Sequence, residues 1–240
     1  MTPSKADIKL IKSLDKKKFR NLHGLFIIEG EKLLEEALNS GIEVKKVFKR
    51  EEIGAELMSR ISLLSSPSPV VAIAKMPFEK PFEAPDKEEL YLALESIKDP
   101  GNMGTIIRMA EWFGVKAIYC SPDCVDIYNP KVVQSTMGSL FRVKVSYIEL
   151  EELVVMAKKS IPVYGTFMDG KNIYQTKLPK GALVIMGSES HGISPQLEKR
   201  ISEKIHIPSF YKKRSGIDSL NVAIAASVVC SEFKRQSVFG

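Results

Sequence analysis

The sequence has few cysteines and no long apolar segment, and each absence excludes a class of protein. Its three cysteines are Cys120, Cys124 and Cys230, without a C-x-x-C pair or histidines at ligand spacing. We therefore expect buried thiols rather than a disulfide scaffold or a zinc site. The longest apolar runs, such as residues 222–230, are far shorter than the ~20 residues of a membrane span. No apolar segment follows the N-terminal lysines as it would in a signal peptide, which predicts a cytoplasmic protein.

The chain also lacks the glycine motifs of several large enzyme classes. It contains no G-x-G-x-x-G, no G-x-x-x-x-G-K-[ST] and no G-x-S-x-G. These absences argue against a dinucleotide-binding protein, a Rossmann-type methyltransferase, a P-loop nucleotidase and an α/β-hydrolase.

What the chain does contain is typical of a globular protein with one basic end. Hydrophobic residues make up 44% of its 240 residues and charged residues 27%, and the net charge is +6. Residues 1–24 hold seven basic and two acidic side chains, so nearly all of the excess charge lies there. Such a segment is typical of a polyanion-binding surface, although a solvated helix face gives the same pattern.

The pattern of apolar residues predicts two folded parts and an α/β fold. Residues 77–89 combine three prolines with seven charges and have no apolar periodicity, which indicates an exposed linker. We predict a small α/β domain over residues 1–76, a linker over 77–88 and a second domain over 89–240. In the second domain apolar strands alternate with helices, which predicts a parallel sheet with helices on both faces. Its last helix is expected to begin at Asp218 or Ser219 and to end near Arg235.

Three polar segments follow predicted strands, where an α/β sheet binds its ligands. In the first, the turn Asp99–Asn102 brings Asn102 and Gly104 to a helix N-terminus, and Arg108 follows one turn later. A helix N-terminus with an arginine suits a phosphate, although a turn with a solvent-facing arginine gives the same sequence.

The second and third segments hold further polar candidates. The loop after "LVIM" holds Glu189 and His191 among glycines and serines. The third segment places Phe210 and Tyr211 beside three basic residues, which suits phosphate contacts with base stacking. Farther along it come Ser219 and Asn221, which are either functional or plain helix caps.

Taken in this order, the three segments resemble the motifs of the SPOUT superfamily, most closely its SpoU (TrmH-like) RNA ribose 2′-O-methyltransferases. The matching residues are Asn102, Gly104, Arg108 and Ala110; Gly187, Glu189 and Gly192; and Pro208, Ser219, Leu220, Asn221, Val222 and Ala225. The N-terminal part resembles the substrate-binding domain, similar to ribosomal protein L30e, that precedes many such enzymes. Two departures are a longer loop over residues 209–218 and Ala223, where the family often has serine.

The resemblance implies a deep C-terminal trefoil knot, a homodimer formed through the C-terminal domain, and S-adenosylmethionine as cofactor. The implied catalytic residues are Arg108, Asn102, Glu189, Ser219 and Asn221. The implied cofactor-binding residues are Thr166, Met186, Gly187, Ile207 and Leu220. The RNA-binding candidates are Lys17, Lys18, Arg20, Lys212, Lys213 and Arg214. No metal is expected.

The substrate implied by the resemblance is 23S-type ribosomal RNA, with transfer RNA as the alternative. Two other hypotheses are methylation of a base nitrogen and a catalytically silent RNA-binding or ribosome-assembly protein. Because arginine is effectively always protonated, we interpret Arg108 as a phosphate clamp rather than as the base.

Overall fold

The computed structural model describes residues 2–77, 85–211 and 219–239. Contacts divide the chain into two compact units, each with its own sheet. The first comprises Met1–Lys80 and Asp126–Arg142, and the second comprises Pro81–Val125 and Val143–Gly240. In the described part of the chain, no helix is long and apolar enough to cross a membrane.

The first unit is a three-stranded antiparallel sheet with short helices. Its strands, in the order β1-β3-β2, are β1 (Leu25–Glu29), β2 (Val44–Lys49) and β3 (Val70–Lys75). Its helices before the linker are α1 (Lys5–Ser13), α2 (Lys17–His23), α3 (Glu31–Asn39), α4 (Arg50–Ile53) and α5 (Ala55–Ile61). The predicted small α/β fold is confirmed, since apolar residues from strands and helices form one buried cluster that includes Ile11, Ile27, Phe48, Met58 and Ile73.

The second unit contains the predicted parallel sheet. Its six strands are β4 (Leu90–Leu94), β5 (Ala117–Cys120), β6 (Val145–Tyr147), β7 (Val163–Asn172), β8 (Ala182–Met186) and β9 (Glu203–His206). Their order is β6-β5-β4-β8-β7-β9, and every pair is parallel. The helices are α6 (Pro100–Trp112), α8 (Leu150–Ala157), α9 (Pro195–Glu198) and α10 (Val222–Phe239). The three cysteines are free and buried, as expected.

The strand order determines where a ligand crevice forms. The central strand β4 is flanked by β5, which follows it in the chain, and by β8, which comes much later. Ligands of open α/β sheets bind where the strand order reverses, beyond the carboxyl ends of the strands. The segments that follow β4 and β8 therefore meet at the expected position for a site.

Residues 126–142 pack with the first unit, although they lie between strands of the second. They contain the helix α7 (Pro130–Ser135). The buried Asp126 carboxylate accepts a hydrogen bond from Arg20 Nε at 2.8 Å, and the rings of Phe26 and Tyr128 lie 5.0 Å apart between centroids. A segment from the middle of the chain thus completes the first unit.

The helix starts agree with the predictions in two cases and differ in one. At the starts of α7 and α9, the side chains of Asn129 and Ser194 each accept a backbone hydrogen bond from the first turn, as the sequence pairs Asn129-Pro130 and Ser194-Pro195 predict. The prediction for α10 is wrong: its cap is Asn221, two residues after Ser219, because Asn221 Oδ1 accepts from the Ala223 N–H at 3.0 Å. Asp218, the other predicted cap, lies outside the described residues. The helix also continues past Arg235 to Phe239.

Candidate active site

The site begins at the turn between β4 and α6. Asp99 caps α6, since its Oδ1 accepts a 2.7 Å hydrogen bond from the Asn102 N–H, and Pro100 occupies the first helical position. Proline suits that position because it has no N–H to leave unsatisfied. The turn predicted from Asp99–Asn102 therefore forms, and it holds Asn102 in the first turn of the helix.

Three side chains from the three predicted segments meet at this point. Glu189 Oε1 accepts hydrogen bonds from Asn102 Nδ2 at 2.9 Å and from Asn221 Nδ2 at 2.7 Å. Asn221 Nδ2 also lies 2.9 Å from Asn102 Oδ1. We call Asn102, Glu189 and Asn221 the amide–carboxylate cluster. It joins the ends of β4 and β8 to the start of α10.

The cluster lies at the N-termini of two helices, α6 and α10. The Val222 N–H contacts Glu189 Oε1 at 3.4 Å, and the Oδ1 of Asn221 accepts from the first turn of α10. Because helix N-termini carry partial positive charge, they stabilise the Glu189 carboxylate between them. The cluster is therefore a fixed group of polar atoms rather than three independent surface side chains.

Two predicted catalytic residues lie outside these contacts. Arg108 is exposed on α6, about 9 Å along the helix axis from Asn102 at 1.5 Å per residue, and no described residue bonds to its guanidinium. Ser219 is also exposed and has no hydrogen bond with a described residue. The structure thus brings together Asn102, Glu189 and Asn221, and leaves Arg108 and Ser219 facing solvent.

The predicted cofactor residues lie on neighbouring strands, directly after them, or just before α10. Met186 is the last residue of β8 and is 1% exposed, Thr166 lies on β7 with its Oγ1 3.3 Å from Ile185 O, and Ile207 follows β9. Leu220, which is 48% exposed, directly precedes the cluster residue Asn221. Met186 leads into the loop that carries Glu189, and Leu220 precedes Asn221, so these two residues adjoin the amide–carboxylate cluster along the chain.

Gly187 shows why a glycine is needed in the loop after β8. The loop folds back on itself through a bridge between Ser188 and Gly192, and a Cβ on Gly187 would lie 2.1 Å from the Gly192 carbonyl carbon. Any side chain would therefore displace the loop that carries Glu189. Gly192 itself has φ +65°, a conformation that favours glycine.

Glu95 is a residue of this site that the sequence did not single out. It follows β4, and its Oε2 accepts a 2.8 Å hydrogen bond from the Ser194 N–H, which ties the far end of the 187–194 loop to the central strand. Its N–H donates to Met186 O at 2.9 Å. The only local sequence signal for the role of Glu95 is that a carboxylate directly follows a fully buried strand. Many residues with purely structural roles share that feature.

A polar network also fixes the loop that precedes α6. Burial of the Asp123 carboxylate would raise its pKa, but hydrogen bonds from Lys98, Ser121 and Ser96 hold that pKa well below its ordinary value. Beside this loop lies a cavity of about 150 Å³, whose walls include Lys98, Asn102 and Glu189. A carboxylate that stays ionised thus orders one wall of the crevice.

The RNA-binding candidates fall into three groups. Lys17 and Lys18 are exposed on α2. The prediction that Arg20 contacts RNA is wrong. Arg20 is 2% exposed, and its guanidinium forms a buried ion pair with Asp126 inside the first unit. Lys212, Lys213 and Arg214 lie outside the described residues.

Fold and site together define a class. A parallel α/β sheet with an amide–carboxylate cluster at its strand-order reversal, and without a nucleotide-binding glycine motif, has the arrangement expected of a SPOUT-type methyltransferase. The comparisons agree with this class: residues 89–231 match the model of the SpoU rRNA Methylase family, and residues 5–80 match that of an MRM3-like substrate binding domain. The chain belongs to the SpoU rRNA methylase family.

Individual relatives cover nearly the whole chain. The 23S rRNA (guanosine(2553)-2′-O)-methyltransferase RlmP of Bacillus subtilis is 30% identical over 91% of this chain and 92% of its own. The mitochondrial rRNA methyltransferase 3 of Xenopus laevis is 27% identical over 95% of this chain and 73% of its own. An AdoMet-bound rRNA methyltransferase from Sinorhizobium meliloti, a solved structure, has a TM-score of 0.87 at 26% identity and covers 100% of this chain and 99% of its own.

Proposed function

We propose that this protein transfers a methyl group from S-adenosylmethionine to a ribose 2′-oxygen of 23S-type ribosomal RNA. The observation that carries the proposal is the amide–carboxylate cluster of Asn102, Glu189 and Asn221, inside the part of the chain that matches the family model. The relatives named as ribosomal RNA methyltransferases support the substrate class.

The residues at the strand ends fit S-adenosylmethionine. Backbone groups of the folded loop at Gly187 and around Ile207 suit the polar edge of an adenine. The exposed Leu220 offers an apolar contact, and the buried Met186 ends the strand that leads into the loop at Gly187. When bound, the cofactor supplies an electrophilic methyl group. The chain's own residues must then hold the ribose oxygen in line with that methyl group. As the new O–C bond forms and the S–C bond breaks, S-adenosylhomocysteine leaves and the hydroxyl proton passes to solvent water.

Arg108 acts as a clamp on the phosphate of the target nucleotide. Its side chain is exposed and forms no hydrogen bond with a described residue, so no contact in the described part of the chain competes with a ligand for the guanidinium. A guanidinium stays protonated and presents a fork that matches phosphate oxygens. The same charge stabilises the negative charge that develops on the ribose oxygen.

The amide–carboxylate cluster positions the ribose. Glu189 fixes both amide groups through one oxygen, so the amides of Asn102 and Asn221 keep one orientation. Ser219, two residues before Asn221 and exposed, offers a further hydroxyl toward the substrate. Groups held in this way contribute to catalysis by reducing the freedom of the bound ribose.

The residues proposed to contact RNA phosphates are Lys17 and Lys18, which are exposed on the first unit, and, in the sequence of the longer loop, Lys212, Lys213 and Arg214. Each lysine or arginine at a phosphate releases counterions, so binding weakens as salt rises. The cytoplasmic location stays a prediction from the sequence.

The enzyme acts as a homodimer through its C-terminal domain. On α6, the exposed positions Gly101, Thr105, Arg108 and Trp112 follow helical spacing, and Trp112 is 86% exposed. Helix α10 packs against α6, and its Ile224 is 52% exposed. A second copy that covers these apolar side chains removes a large exposed tryptophan from water, and it also approaches Arg108.

The Arg108→Ala variant tests the catalytic assignment. We expect kcat/KM for unmodified ribosomal RNA to fall by about 10²- to 10³-fold, as when one transition-state donor is removed. The dissociation constant for S-adenosylmethionine, measured by calorimetry, should stay unchanged, and Arg108→Lys should recover only part of the rate because it lacks the fork. Turnover of Arg108→Ala at the wild-type level would overturn the assignment.

A further inference from the structure

Two exposed aromatic rings stand at the ligand-binding edge of the second unit and have no part in the mechanism above. The rings of Tyr174 and Phe210 have centroids 6.4 Å apart and planes at 32° to each other. Tyr174 is 45% exposed and Phe210 is 82% exposed. Adjacent exposed rings of this size mark an interaction surface more often than a structural element.

Tyr174 is held in place by its surroundings. It lies in a short 3-10 turn, Ile173–Gln175, directly after β7, and its N–H donates to Asn172 Oδ1 at 3.0 Å. Ile173 is fully buried, and Gln236 of α10 donates to Thr176 O at 3.1 Å. The turn is thus fixed on both sides, and the tyrosine ring lies exposed on it.

Phe210 reaches the same place from the neighbouring strand. In the parallel pair β7 and β9, Asn172 stands opposite His206, so the chain leaves both strands at the same edge. His206 Nδ1 lies 2.6 Å from Gly170 O, which fixes the end of β9 against β7. The two rings therefore meet beyond the carboxyl ends of β7 and β9, the edge at which Gly187 follows β8.

The chemistry of this surface favours a nucleic acid base as its occupant. Small molecules bind in concave sites that bury most of their surface, whereas these two rings are open to solvent. Unpaired RNA bases stack on exposed aromatic side chains whatever their sequence, because every base has a π-face. In the sequence, Tyr211 is followed by Lys212, Lys213 and Arg214, so three basic residues stand within four positions of Phe210 along the chain.

We propose that Tyr174 and Phe210 form a stacking surface for an unpaired base of the substrate RNA. This inference rests on the proposed function, because it assumes an RNA substrate at this edge of the sheet. The surface recognises single-stranded RNA close to the methylated nucleotide, and it discriminates against fully paired RNA.

The test measures RNA binding without methyl transfer. The probe is a 12-nucleotide single-stranded RNA that contains 2-aminopurine, whose fluorescence is quenched by stacking, and the competitor is the same RNA in a duplex. We expect Phe210→Ala and Tyr174→Ala each to weaken binding by about 5- to 100-fold, the loss typical of one base–aromatic stack, and to abolish part of the quenching. Phe210→Trp should bind the RNA like the wild type. Phe210→Leu should bind as weakly as Phe210→Ala, because leucine is apolar but has no π-face.

The control is Val155→Ala, which shortens a 49%-exposed aliphatic side chain on α8 and should leave binding unchanged. Equal RNA binding by wild type and Phe210→Ala would overturn the proposal, and so would a loss of cofactor affinity or a change of oligomeric mass in that variant. Those last two results would assign the rings to adenine of the cofactor or to a second copy. A wild type that binds the probe but methylates no RNA would instead count against the proposed function alone.

Discussion

Replacing Asn221 by aspartate changes one donor of the active site into an acceptor and leaves the helix cap intact. In the native site Asn221 Nδ2 lies 2.7 Å from Glu189 Oε1 and 2.9 Å from Asn102 Oδ1. Its Oδ1 caps α10 through the Ala223 N–H, and an aspartate oxygen can do the same. The variant therefore places two carboxylates side by side without removing the start of the helix.

The size of the effect follows from these contacts. Two hydrogen bonds are lost, at about 0.5–1.5 kcal/mol each. Two carboxylates about 4 Å apart repel by about 1 kcal/mol in water and by about 4 kcal/mol at a protein surface. Because Glu189 and Asn221 are exposed, the lower part of that range applies, and we expect about 2–4 kcal/mol in all. That corresponds to a loss of about 30- to 1000-fold in kcat/KM.

The assay compares kcat/KM of Asn221→Asp and of Asn221→Ala with that of the wild type between pH 5.5 and 8.5. Two adjacent carboxylates raise their shared pKa, so a falling pH adds one proton to the pair and restores an O–H donor. The activity of Asn221→Asp relative to the wild type should therefore rise as the pH falls. The relative activity of Asn221→Ala should stay constant, since alanine cannot titrate. Parallel pH profiles for the two variants would refute the assigned hydrogen bonds.

Three further predictions concern the proposed dimer, the first unit and the loop before α6. In sedimentation experiments we expect the wild type and Val155→Glu to behave as dimers and Trp112→Glu as a monomer; a dimeric Trp112→Glu would contradict the proposed interface. Arg20→Met should lower the free energy of unfolding by about 3–5 kcal/mol in urea, because it leaves the Asp126 carboxylate buried without its partner. Adding Asp126→Leu should recover part of that loss, and equal stability of the single and double variants would disprove the explanation. Asp123→Asn should lower the Tm at pH 7. Since the folded-state pKa of Asp123 is depressed, this difference from the wild type should shrink as the pH falls below the ordinary value of 3.8, and a pH-independent difference would argue against the hydrogen-bond network.

Much of the fold follows from short-range patterns in the sequence. The run from Ala182 to Met186 is wholly apolar because its strand lies in the middle of a sheet covered on both faces. Asn129 and Ser194 are recognisable as helix caps, since each precedes a proline at the first helical position. The amide–carboxylate cluster was predictable as a set of residues, because its members stand in three motifs of one family.

The features that sequence reasoning missed depend on contacts between distant residues. Arg20 lies in a basic segment whose composition is typical of an RNA-binding surface. Only its contact with Asp126, 106 positions later, reveals its structural role. Glu95 gains its role from Ser194, 99 positions later, and nothing near either residue indicates the pairing. The start of α10 was misplaced because three candidate caps follow one another, and only the geometry of Asn221 selects between them. Local periodicity carries no information on such pairings.

The products of RNA hydrolysis distinguish methyl transfer to a ribose oxygen from methylation of a base. The full-length protein is incubated with unmodified 23S-type ribosomal RNA and S-adenosylmethionine labelled in the methyl group, and the RNA is then hydrolysed completely with alkali. A methylated 2′-oxygen cannot attack the adjacent phosphate, so we expect label in alkali-resistant dinucleotides. Label confined to mononucleotides would show base methylation and contradict the proposed function, and so would a lack of incorporation into both ribosomal and transfer RNA.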